Sequence, residues 1–128
     1  MEGKGVSLRK VRWVGDCREQ ILRFPNQVRK DIGHALYLAQ TEQTPPSAKP
    51  MRGIESGVFE IVSNYATNTY RAVYTVKIGR SLYVLHAFQK KSKRGTTTPK
   101  KNLDSIKGRL RRAKELDKQE KKNHGRGN

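Results

Sequence analysis

A chain of 128 residues with a formal net charge of +17 and one cysteine has room for a single domain with a modest core. It excludes an intrachain disulfide and a zinc site built from several cysteines. No apolar run approaches the ~18 residues of a membrane span, so no membrane partner is expected. Of the 28 Lys and Arg, 15 fall in residues 90–128 against 4 acids there. That asymmetry points to a polyanionic partner, most often nucleic acid; the plainer alternative is a solvated basic tail. The N-terminus lacks the apolar centre of a secretory signal, so the reducing cytoplasm is the expected compartment.

In chain order, residues 1–8 are small and polar and are expected to be flexible. Lys10 to Val14 alternates basic and apolar residues, the pattern of a first strand. Asp16 is an N-cap candidate for a short helix to about Phe24, which carries Cys17 as a small residue. Pro25 opens a second helix to about Gln43. Val28, Ile32, Ala35, Leu36 and Ala39 form its apolar stripe. Thr44 to Pro50, with three prolines, reads as a loop. Val58 to Val62 is a short strand, and Asn64 to Thr69 is turn material.

Tyr70 to Val76 and Leu82 to Lys91 are rich in β-branched and aromatic residues and lack proline. They read as a hairpin reversing near Gly79-Arg80. A basic loop follows to Thr98-Pro99, a threonine cap and first-turn proline for a last helix. Leu103, Ile106, Leu110, Ala113 and Leu116 make its apolar stripe. The expected organisation is one α+β domain over residues 9–117, in the order β-α-α-β-β-β-α, followed by a basic disordered tail over 118–128. Short connections make the meander antiparallel.

Enzyme templates are few. His34, His86 and His124 lack metal-ligand spacing, and the chain has no nucleophile elbow, P-loop or dinucleotide fingerprint. No metal or cofactor is implied. What remains is phosphate chemistry by cations and tyrosines. RNA breaks without a metal when its 2′-hydroxyl attacks the adjacent phosphate and the protein stabilises the charge. Arg71 is the leading phosphate ligand; its plainer reading is a solvated or Glu60-paired arginine. Tyr74 and His86 are proton-transfer candidates. Their plainer readings are core packing for Tyr74 and a hydrogen-bonded, half-buried histidine for His86, which alternation places beside Val84 and Phe88. Lys90, Lys91, Lys93 and Arg94 form either a mobile phosphate clamp or a solvated edge that discourages strand addition. Tyr70 and Trp13 read as core residues.

These residues carry a resemblance. Tyr70 to Val76, Tyr83 to Lys93 and Thr98-Pro99-Lys100, with Ala48 to Gly53 and Gly57 to Val62 upstream, resemble the phage-derived branch of the RelE/HigB toxins. The resemblance spans roughly Val11 to Leu116. It implies a RelE-like α+β fold with helices packed on a small, mostly antiparallel sheet. It implies the toxin of a type II toxin–antitoxin pair, usually a ribosome-dependent endoribonuclease acting on mRNA. It also implies a helix-turn-helix antitoxin, with operator DNA reached only through that antitoxin. By position Arg71 matches the arginine that holds the scissile phosphate, and Lys90, Lys91 and Lys93 match the basic strand exit. Arg94, Arg52, Lys100 and Lys101 are the further RNA-binding candidates. The chain departs from better-known RelE toxins at Glu60 and Val62, where they carry basic residues, and at Asn102, where close relatives tend to have glutamate. No tyrosine lies beyond Tyr83. Two other functions stay open: a non-catalytic basic protein that binds RNA or the ribosome, and a degenerate toxin that only binds an antitoxin.

Overall fold

The computed structural model describes residues 8–90 and 98–126. Five strands form one sheet in the order β1-β5-β4-β3-β2, with three helices against it. The elements are β1 (Val11–Trp13), α1 (Cys17–Leu22), α2 (Asn26–Gln40), β2 (Ala48–Pro50), β3 (Val58–Tyr65), β4 (Asn68–Thr75), β5 (Leu82–Lys90) and α3 (Lys100–Arg126). The β2–β3–β4–β5 ladder is antiparallel, and β1 alone pairs parallel, with β5. The fold is α+β with a mostly antiparallel sheet, as the sequence implied.

Alternation along the strands sorts side chains to two faces. Tyr70, Ala72 and Tyr74 of β4 join Val28, Ile32 and Leu36 of α2 in one apolar cluster. Val73 of β4 joins Tyr83, Leu85, Ile106, Leu110 and Ala113 in the other, under α3. The periodic stripes of both long helices are therefore the faces that dock, and Tyr70 is a core residue as expected; Cys17, on α1, is buried too. Trp13 is not: it is 37% exposed on the edge strand.

Four expectations change. The segment read as a loop through Pro50 holds an edge strand, β2. Pro50 fits there because an edge strand has one side that needs no ladder donor. The β3–β4 ladder continues through the expected turn to Tyr65 opposite Asn68, and reverses at Ala66, whose φ of 56° is left-handed. The last helix continues past Leu116 to Arg126, so the expected disordered tail is helical over 118–126. Lys121 pairs there with Asp117 one turn earlier, and Lys118 to Lys122 are good helix formers. Finally, neither predicted cap bonds the backbone of its helix: the Asp16 carboxylate accepts from the Gln20 and Arg109 side chains, and the Thr98 hydroxyl goes to Glu60.

Candidate nucleic-acid site

Beside α3 the sheet carries a buried ion pair, Arg71 with Glu60. Arg71 and Glu60 are diagonal neighbours on adjacent strands, since Arg71 sits opposite Val62 and Glu60 opposite Val73. Arg71 Nη1 donates to Glu60 Oε1 at 2.7 Å, and the two side chains are 5% and 4% exposed. The Glu60-paired reading of Arg71 is therefore the observed one. Thr98, just ahead of α3, donates its hydroxyl to Glu60 Oε2 at 3.2 Å. Arg71 Nε is buried without a hydrogen-bond partner.

Glu60 and Thr98 also line a groove of about 690 Å³, whose other walls are Lys49, Pro50, Met51, Arg52 and Leu103. The groove thus has a carboxylate, two cations, and an apolar floor of Met51 and Leu103. Lys100 and Lys101 are exposed in the first turn of the helix that supplies Leu103. Lys90 pairs with Thr69, and alternation puts it on the face of Arg71, whose own partner is Phe88. Lys91, Lys93 and Arg94 lie outside the described residues.

The proton-transfer candidates fare differently. Tyr74 lies on the opposite face from Arg71, packed against Phe59 with ring centroids 5.8 Å apart. Burial pushes its hydroxyl up to about 12, which suits a core tyrosine and not a proton carrier. His86 is on the face of Arg71, but not beside Val84 as alternation implied. Tyr74 pairs with Val84 while Val73 pairs with His86, so β5 has one extra residue, Leu85, at a bulge. The bulge reverses the alternation and turns His86 toward α3.

There both ring nitrogens are engaged. Arg109 Nη1 lies 3.1 Å from Nδ1, and Asn102 Oδ1 lies 2.8 Å from Nε2. A guanidinium only donates, so Nδ1 accepts and the proton sits on Nε2, donated to Asn102. Burial foremost, and then the Arg109 charge, hold His86 below its ordinary pKa, against the hydrogen bond it donates to Asn102. His86 is the half-buried, hydrogen-bonded histidine of the plainer reading.

Arg109, in the cation-rich middle of α3, is the junction of this face. Besides His86, it donates to the Leu85 carbonyl (3.1 Å) and to Asp16 Oδ1 (2.9 Å). Asp16 is held below the usual carboxylate range by hydrogen bonds from Gln20 and then Arg109. Gly15, at φ 64°, gives the guanidinium room: a Cβ there would lie 3.0 Å from Arg109 Cζ. Nothing in the spacing of the last helix marks this role, because Arg109 belongs to a run of cations that all look solvated. Among the described residues, no group of three or more His, Cys, Asp and Glu is gathered to hold a metal ion, and no helix is long and apolar enough to cross a membrane.

Residues 19–111 match the family described as Phage derived protein Gp49-like (DUF891). The chain belongs to that family. It is the phage-derived, RelE-like group to which the blocks from Ala48 to Lys100 pointed. Within the Gp49-like match lie every strand but β1 and every residue of the groove. Among solved structures, the toxin–antitoxin complex RelBE2 of Mycobacterium tuberculosis is similar with a TM-score of 0.44 and 18% identity. The match covers 71% of this chain and all of that one. No curated protein sequence matches.

Proposed function

We propose that the protein is the toxin of a type II toxin–antitoxin pair and cuts mRNA on the ribosome without a metal. The observation that carries this reading is the buried Arg71–Glu60 pair beside a groove walled by Lys49 and Arg52. Burying two charges costs several kcal/mol per ion, and an apolar pair of similar volume often serves a fold as well or better. A buried pair with one arginine donor left open, next to a basic groove, is a device for an anion more than for stability.

In this reading Arg71 holds the scissile phosphate. Glu60, the only carboxylate among the groove's described residues, takes the proton of the ribose 2′-hydroxyl. The 2′-oxygen bonds to phosphorus, the bond to the 5′-oxygen breaks, and Lys90 gives that oxygen a proton. The products are a 2′,3′-cyclic phosphate and a free 5′-hydroxyl. Lys91, Lys93 and Arg94 hold the backbone at the strand exit, and Arg52, Lys100 and Lys101 hold the flanking phosphates. Tyr74 and His86 have no step in this scheme. A helix-turn-helix antitoxin neutralises the toxin and brings the pair to operator DNA.

Induced expression in a bacterium tests this. The wild type arrests translation, whereas the folded double variant Glu60→Leu with Arg71→Met does not. Equal arrest by both overturns the reading. A second reading has a specific basis: Glu60 cancels the charge of Arg71, as suits a protein that binds RNA without cutting it. Translating ribosomes separate the two. New 5′-hydroxyl ends in the mRNA support cleavage, and salt-sensitive binding with intact message supports the binder.

A further inference from the structure

We infer that Arg109 is a positioning residue that works through neutral His86, and that the pair forms an acid-released latch holding the first turns of α3 against the β5 bulge. The inference goes beyond the proposed nuclease and stands whether or not RNA is cut. Its basis is the direction of each hydrogen bond. Arg109 Nη1 donates to both the Leu85 carbonyl and His86 Nδ1, and His86 Nε2 donates to Asn102 Oδ1. The carbonyl and the ring are adjacent because of the bulge, so Arg109 satisfies an acceptor that the irregular ladder leaves over. Arg109 and Asn102 are seven residues apart, about two turns of α3. The ring therefore bridges the two points that fix where the helix starts.

Protonation of His86 removes the acceptor. Nδ1 would then carry a proton aimed at a guanidinium that cannot lose its own, with two positive charges about 3 Å apart. The groups facing the ring are Asn102 and Arg109 from α3, Asp16 from the turn before α1, and the Phe88 ring of its own strand at 5.4 Å. Cys17 meets the same guanidinium at 3.4 Å, but its thiol is pushed up to about 11, chiefly by burial, and stays neutral. Asp16 favours the charged ring, yet its carboxylate is already paired with Arg109 Nη2 at 2.9 Å. Burial and Arg109 outweigh it, and the ring is held below its ordinary pKa.

The sign follows. A histidine with a lowered pKa in the folded state contributes stability that is full above the ordinary value near 6.5. That contribution is lost as pH falls through the folded value. The first turns of α3 are what lets go, and with them Leu103 and the Thr98 that caps Glu60, two walls of the groove.

Imidazole nitrogen NMR and amide hydrogen exchange on the purified protein test the latch. The expected result is an Nε2-protonated His86 that titrates below the ordinary histidine value, with several-fold loss of protection at residues 102–110 between pH 7.5 and 5. His86→Gln offers a carbonyl to Arg109 and an amide to Asn102, so its protection should not change over that range. Arg109→Met should raise the His86 titration toward the ordinary value. An Nδ1-protonated ring, a titration at or above the ordinary histidine value, or equal acid loss in His86→Gln overturns the inference. If Arg109→Met does not fold, the wild type and His86→Gln still decide.

Discussion

On β4 alone, the two faces of the sheet could hardly differ more. Tyr70, Ala72 and Tyr74 enter an apolar layer under α1 and α2, where packing settles everything. One residue out of step, Arg71 enters a layer where a buried ion pair, a bulge and a four-partner arginine sit among the apolar residues under α3. The lesson is that the chain concentrates its buried charge on one side, against the helix that also delivers its surface cations.

The sharpest way to break this comparison is to unbalance the charged face. Glu60→Ala leaves Arg71 buried without its counterion and is expected to cost about 3–5 kcal/mol in urea unfolding. The Glu60→Leu, Arg71→Met double variant should regain most of that. A cost below about 1 kcal/mol for Glu60→Ala would mean the pair is solvated. Next come matched cavities, one per face. Ile32→Ala and Ile106→Ala, both fully buried, should each cost about 2–5 kcal/mol. A large loss at Ile32 with a negligible one at Ile106 would show α3 to be loosely docked.

What the sequence could tell follows the same division. The α1–α2 face was legible because apolar spacing of 3.6 and 2 residues is a strong signal and packing obeys it. The pairing of Arg71 with Glu60 was visible as an alternative, since opposite charges on adjacent strands find each other. The bulge was not. No glycine or proline marks Leu85-His86, so period-2 reasoning put Val84 on the face that His86 shares with Phe88, and only Phe88 is there. Arg109 was hidden by its neighbours: in a helix crowded with cations, only the position of Asp16 and the stray carbonyl at Leu85 single one out. β2 was lost to Pro50 and to Pro45-Pro46 just ahead of it, because a cluster of prolines reads as a loop although an edge strand tolerates one.

Smaller effects sharpen the picture of the groove. Replacing Lys49 and Arg52 with alanine should weaken single-stranded RNA binding. It should also flatten the dependence of log K on log salt by about 1.4, the loss of two phosphate contacts. An unchanged slope would put the RNA elsewhere. At the bottom of the scale, Asp104→Ala removes an exposed partner 3.9 Å from Lys100 and should shift stability by less than about 0.5 kcal/mol.

The parallel pairing of β1 with β5 has a consequence for how the protein is made. Residues 11–13 have no neighbour in the sheet until residues 82–84 have been synthesised. Two walls of the groove, Thr98 and Leu103, are translated later still. Early segments can collapse as they emerge, but closing such distant contacts comes last. A nascent chain therefore carries no finished groove while most of its own message is still being read.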